Sequence, residues 1–224
     1  CYSHEAEMLV GWGCSGGETS FFVMNPVQRI TKYKVRVHKE YVLHACEVRA
    51  HGCMVSCSID RSVCIWPTKF IKTRANAFVD KYEMSTINQY TDAEVAGEVR
   101  NTFAIKSLAY AADNDLVIGV GFDFDMYAWD PTTAIMMMNL VGHSAPILSV
   151  HVVHTPIERV LSCDESGTIK MWNIDRSLGH TAEQLQNIQL VCSNASKTLA
   201  LVPAFQGGST LAALADRLYF LHGV

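Results

Sequence analysis

Glu165-Ser166-Gly167-Thr168-Ile169-Lys170-Met171-Trp172-Asn173 is the stretch on which the fold turns. A polar turn gives way to a short strand with alternating side chains, and the strand closes on tryptophan. Two other stretches end the same way: Ser58-Ile59-Asp60-Arg61-Ser62-Val63-Cys64-Ile65-Trp66 and Phe122-Asp123-Phe124-Asp125-Met126-Tyr127-Ala128-Trp129-Asp130. A degenerate fourth copy, Glu18-Thr19-Ser20-Phe21-Phe22-Val23-Met24-Asn25, has Met24 in the tryptophan slot. A weaker fifth is Ala215-Asp216-Arg217-Leu218-Tyr219-Phe220.

The slots at 24, 66, 129, 172 and about 220 are spaced by 42, 63, 43 and about 48 residues. Two of these spacings match the roughly 40–45-residue period of four-stranded propeller blades. The 63-residue interval exceeds it by about 20 residues, which reads as one insertion in that period. Upstream strands fall at matching offsets. Val42 to Glu47 and Met54 to Ser58 precede Trp66, Ile105 to Tyr110 and Leu116 to Val120 precede Trp129, and Ile147 to Val153 and Val160 to Cys163 precede Trp172. No segment sustains a 3.6-residue apolar period over a helix length. The expectation is therefore an all-β chain of antiparallel four-stranded units at approximately 1–34, 35–78, 101–140, 141–191 and 192–224, with an insertion at 79–100.

At these residues the chain resembles the WD-repeat β-propeller family over nearly its whole length. The resemblance implies a hydrogen-bonded tetrad within each blade: a histidine before the inner strand, a hydroxyl in the second, an aspartate in the turn and the tryptophan of the third. The blade ending at Trp66 supplies His38, Ser56, Asp60 and Trp66. The blade ending at Trp172 supplies His143 and Ser162, but Ser166 stands in the aspartate slot and Asp164 lies two residues earlier. The blade ending at Trp129 has Asp123, with Asn101 and Gly119 where histidine and serine belong. On this reading only the Trp66 blade is fully networked. The nearest likeness is to protist and ciliate WD-repeat proteins, some with EF-hands elsewhere and some associated with cilia. No EF-hand loop occurs in these residues.

The resemblance implies a non-enzymatic scaffold that binds protein partners, in the cytoplasm or at the cilium, flagellum or cytoskeleton. A calcium-linked or ciliary adaptor with EF-hands outside this stretch is the alternative. A propeller enzyme is the third reading, and the strand beginning at Ile105 offers it no carboxylate or histidine. The first copy begins near Met8 at its second strand with no inner strand evident, and the last ends soon after Phe220. The expectation is about four to five blades, incomplete at both ends, of a longer array.

Composition agrees. The 224 residues are 49% apolar and 18% charged, enough for a substantial core and unlike a disordered chain. A net charge of −4 and a pI near 6.1 argue against general affinity for nucleic acid or an anionic membrane, both of which need a basic surface. No apolar run reaches the 18 or so residues of a spanning helix. The eight cysteines sit in apolar alternating runs, which reads as reduced thiols.

Each chemical candidate has a structural counter-reading. His44, Cys46, His51, Cys53, Cys57 and Cys64 lie close together in sequence, yet spread over three strands without the paired spacing of a zinc site, so buried thiols and no metal or other cofactor are expected. Asp123 with Asp125, and Asp164 with Glu165, read as turn chemistry before a catalytic pair. Lys32, Lys34, Arg36 and His38 alternate with apolar residues as an outermost strand would. Met136 to Met138 should be mostly core. Long polar loops on rigid scaffolds often carry binding. Asp80, Lys81, Tyr82, Glu83 and Tyr90, within 79–100, are therefore the candidate partner loop.

Overall fold

The computed structural model describes residues 2–3, 7–15, 18–25, 27, 30–35, 38, 40–67, 85–87, 103–133, 135–155, 157–176, 183–189, 200–203, 209–213 and 218–222. Apart from a single 3-10 turn, Arg49–His51, their regular structure is all strand. No helix among them is long and apolar enough to cross a membrane. The chain divides into two compact units, Cys1–Ile105 with Pro131–Ile135, and Lys106–Asp130 with Met136–Val224.

The first unit holds two sheets. Tyr2–Ser3 (β1), Met8–Ser15 (β2), Glu18–Asn25 (β3) and Ile30–Val35 (β4) form an antiparallel meander in chain order. The inner strand that the sequence does not reveal is thus present: Tyr2 pairs with Leu9 and Ser3 with Met8. Two residues are too few to show an alternation. Lys32 and Lys34 lie on the outermost strand, as expected, whereas His38 lies beyond it and is buried.

Val42–Val48 (β5), Cys53–Ser58 (β6), Val63–Pro67 (β7) and Ser85–Ile87 (β8) form the second sheet. β8 pairs with β7 through Val63–Ile87, Cys64–Thr86 and Ile65–Ser85. It falls inside the span assigned to an insertion, because a three-residue strand leaves no periodic signal. Every residue of β6 is buried. Phe21 of β3 packs on Trp66 of β7 with ring centroids 5.0 Å apart. Val10, Met54, Ala45 and Cys64 complete that core.

In the second unit, Ile105–Ala111 (β9), Leu116–Gly121 (β10), Asp125–Trp129 (β11) and Met136–Val141 (β12) make one sheet. Ile147–Thr155 (β13), Ile157–Asp164 (β14), Thr168–Asn173 (β15) and Glu183–Gln189 (β16) make the next. Ala200–Pro203 (β17), Ser209–Ala213 (β18) and Leu218–His222 (β19) form a three-stranded sheet. Trp172 is buried in one cluster with Ile118, Val120, Met126 and Ala128 of the preceding sheet. Burying an indole removes about 200 Å² from water, about 5 kcal/mol of gross driving force. Of the three methionines, Met138 is buried, Met137 packs partly against the cluster and Met136 is exposed, so two of the three contribute to the core, as expected.

Register makes the repeats equivalent residue by residue. Trp66, Trp129 and Trp172 pair with Met54, Val117 and Val160 on the second strand. Met24 pairs in the same way with Leu9. Between third and fourth strands the register slips at the slot itself, at Met24, Trp129 and Trp172. Such a bulge bends the strand and re-aims the side chain beside it.

Candidate functional site

The hydroxyl two residues beyond the tryptophan's partner is Ser56 in one sheet and Ser162 in another, both fully buried. Trp172 Nε1–H donates to Ser162 Oγ at 2.8 Å, and His143 Nε2 lies 2.7 Å from the same oxygen. His143 Nδ1 lies 2.7 Å from Asp164 Oδ2. A carboxylate only accepts, so Nδ1 donates; in the neutral ring Nε2 then takes the Ser162 proton. Asp164 Oδ1 also accepts from Ser166 N, Ser166 Oγ and Thr168 N at 3.0, 2.6 and 3.0 Å. Burial alone would raise the Asp164 carboxyl, but His143, Ser166 and the Thr168 amide together hold it below its ordinary value. The network is complete: the sequence put the wrong residue in the aspartate slot, and Asp164 fills the role that Ser166 was expected to leave empty.

The other sheet closes its chain by a detour. Trp66 Nε1–H donates to Ser56 Oγ at 3.1 Å, and His38 Nε2 sits 2.7 Å from it. His38 Nδ1 meets Ser62 Oγ at 2.7 Å, and Ser62 donates in turn to Asp60 Oδ1. Asp60 itself stays 3.7 Å from the ring. Ser62 is therefore the residue that sequence reasoning missed. Its signal was available, since it occupies the register position of Thr168. The two sheets exchange serine and aspartate: Ser58-x-Asp60 in one stands where Asp164-x-Ser166 stands in the other. In both, the second residue's N–H bonds the first residue's side chain, at 3.2 and 3.0 Å. Burial opposes a charge on His38, but Asp60 and the Cys64 sulfur, 3.7 Å from Nδ1, outweigh it and lift the imidazole to about 9.

The sheet of Trp129 departs from this. Gly119 faces Tyr127 at the hydroxyl position and offers no oxygen. Asp123 instead accepts the Tyr127 hydroxyl on Oδ2, while its Oδ1 is buried without a hydrogen-bond partner. Burial raises the Asp123 carboxyl, against the lowering effect of Tyr127. On either side of Asp123, Phe122 and Phe124 are 46% and 48% exposed. Lys106 Nζ, from β9, lies 4.9 Å from the centroid of the Phe122 ring. Asp123 O accepts from Ile147 N at 3.3 Å, so the turn is seated against the start of β13. Asp125 accepts from Asn139 at 3.4 Å.

Comparison with known proteins follows the same lines. A family model described as "WD domain, G-beta repeat" matches residues 136–173, from β12 through the end of β15. A zebrafish (Danio rerio) protein named Denticleless protein homolog is 27% identical over 113 residues, 49% of this chain and 17% of that protein. A Schizosaccharomyces pombe protein named Target of rapamycin complex subunit wat1 is 26% identical over 113 residues, 50% of this chain and 34% of that protein. A chain from a crystal structure of the mitotic checkpoint complex superposes with a TM-score of 0.68 at 15% identity, covering 96% of this chain and 58% of that one. Residues 136–173 thus match a WD repeat, and the chain is similar to WD-repeat proteins.

Its fold is that of a WD-type β-propeller, and its sheets are blades. The matched stretches amount to a sixth to a third of the length of these two relatives. WD-repeat propellers are in general non-enzymatic scaffolds that bind proteins. Among the described residues of this chain, no three metal-ligating side chains gather at one point. Cys53, Cys57 and Cys64 are buried; burial pushes the Cys57 thiol up to about 12, and the Cys46 thiol up as well. The partner-loop candidates Asp80, Lys81, Tyr82, Glu83 and Tyr90 lie outside the described residues.

Proposed function

We propose that this chain is a non-enzymatic scaffold that holds a partner protein at the strand-connecting ends of its blades. One observation carries the proposal. In the Trp66 and Trp172 blades the histidine, hydroxyl and carboxylate groups that could do chemistry are engaged with one another, and His38, Ser56, His143, Ser162 and Asp164 are buried. The large apolar residues that reach solvent at the equivalent turns are Ile59 at 47%, Phe122 at 46% and Phe124 at 48%. Exposed apolar residues on rigid turns suit recognition, whereas catalysis needs an accessible acid, base or nucleophile. Two of these names support the same reading, since one relative is named as a complex subunit and the structural neighbour was solved within a complex.

A cytoplasmic location, an association with cilia or the cytoskeleton, and an affinity with protist proteins belong to this proposal and rest on the sequence resemblance. A calcium-linked adaptor role rests on it too and requires EF-hands elsewhere in a longer chain. The acid balance of −4 supports a protein partner over nucleic acid or an anionic membrane. The test is affinity capture of the tagged chain in its native cell, followed by reconstitution with the captured protein. A stoichiometric complex from purified components is expected. Turnover of a small molecule by the isolated chain, without any such complex, overturns the proposal.

A further inference from the structure

We propose that the turn between β10 and β11 is a docking site for a partner segment bearing an arginine next to an apolar residue. This rests on the scaffold reading and says where, and by what chemistry, the scaffold grips.

Three observations point to a cationic occupant. Asp123 Oδ1 is a carboxylate oxygen buried without a hydrogen-bond partner, a costly arrangement that a guanidinium relieves with two parallel bonds once the turn opens to admit it. The half-exposed Phe122 and Phe124 flank Asp123 in the chain, and planar guanidinium stacks on aromatic faces better than ammonium does. Lys106 Nζ, 4.9 Å from the Phe122 centroid, shows that this ring already receives a positive charge. The local balance agrees: Asp123, Asp125 and Glu165 stand against the ammonium of Lys106, whose charge burial disfavours and the Glu165 and Asp123 charges favour. Val141, 67% exposed and paired with Asp125, extends the apolar rim for the neighbouring residue.

The other blades argue that this is a local device. Positions equivalent to Phe122 and Phe124 hold Ile59 and Arg61 in one blade, Glu165 and Gly167 in another. Aromatic residues enter the turn in the blade whose second strand carries Gly119 in place of serine. There Asp123 bonds Tyr127, and one of its oxygens is left over.

The test is to pan a random-peptide display library against the immobilised chain and against Phe122→Ser/Phe124→Ser and Asp123→Asn variants, whose thermal midpoints establish folding. Enrichment of arginine beside an apolar residue is expected, with binding weakened about tenfold or more by either variant. Citrulline in place of that arginine should abolish it. Enrichment of acidic peptides, of peptides whose binding survives both variants, or of nothing, overturns the site. A native partner that forms a stable complex with the Phe122→Ser/Phe124→Ser variant as readily as with the parent chain refutes this site while leaving the scaffold reading intact.

Discussion

Replacing Ser162 by alanine removes one oxygen from the core and strands two buried groups. Trp172 Nε1–H loses its acceptor at 2.8 Å and His143 Nε2 its partner at 2.7 Å. Trp172 is 2% exposed and the His143 side chain 1%, so water cannot readily replace the serine. An unsatisfied buried polar group costs about 1–3 kcal/mol, so the pair should cost about 4 kcal/mol. Removing a single oxygen leaves little cavity to add. In urea, with a slope of about 2 kcal/mol per molar, the midpoint should fall by about 2 M. Far-UV circular dichroism reads the loss of strand, and tryptophan emission reads the site. The second arm is Trp172→Phe in the Ser162→Ala background. With the indole N–H gone, the serine deletion strands one group instead of two, so the double variant should lose about 1–2 kcal/mol less than the sum of the singles. A midpoint shift below about 0.5 M, or strict additivity, refutes the view that Ser162 satisfies both buried groups at once.

Lifted to about 9, His38 contributes stability that is complete below the unfolded value near 6.5 and disappears as pH rises through 9. The first unit should lose up to roughly 3 kcal/mol over that window, and Asp60→Asn should flatten the profile of urea midpoints. Asp164 titrates in the opposite sense. Held below its ordinary value, it stabilises above about pH 4 and that stability is lost as pH falls through the folded value. The acid midpoint of Asp164→Asn should therefore be less steep than that of the parent. Ser62→Ala should cost about 1–3 kcal/mol by cutting the relay between His38 and Asp60, and Ser62→Thr should restore most of it, measured by thermal or urea midpoints. Glu158 is buried and bonds Asp113 N at 3.1 Å and Asn114 Nδ2 at 3.2 Å, tying β14 to the turn after β9. Glu158→Gln should be mild, while Glu158→Ala should cost about 2–3 kcal/mol.

What was legible in the sequence was whatever repeats. Three tryptophans with alternating residues before them located the third strands, and the apolar runs ahead of them located the first and second. Outer strands were unevenly legible: the alternating Lys32 and Lys34 marked β4, whereas the three residues of β8 look like any polar segment. Tyr2–Ser3 escaped for the same reason of length. In the site, the error over Asp164 came from counting back from tryptophan along the chain when what matters is reach. A carboxylate at the end of β14 points at His143 directly, whereas Asp60, two residues further along, needs Ser62 to bridge the gap. Position in sequence does not reveal which of two geometries a turn adopts, because both satisfy the same donors. Phe122 and Phe124 were read only as turn residues, since exposure is a property of the packed sheet.

The exchange of serine and aspartate explains how such blades diverge without losing their fold. Each network must do one thing: give the indole N–H and the histidine nitrogens partners away from water. A carboxylate that touches the ring does this in one step, and one that touches it through a hydroxyl does it in two. Selection on burial alone cannot distinguish them, so the slots drift. When the hydroxyl itself is lost, as at Gly119, the constraint on the turn is loosened: Asp123 is rebound by Tyr127 from the next strand, and its neighbours are no longer chosen for the frame. A turn freed in this way can carry two phenylalanines into solvent at little cost to the core beneath it. The blade that least resembles its siblings is on this physical ground the one best able to acquire a binding role, and the Trp172 blade, whose network is intact, shares its core.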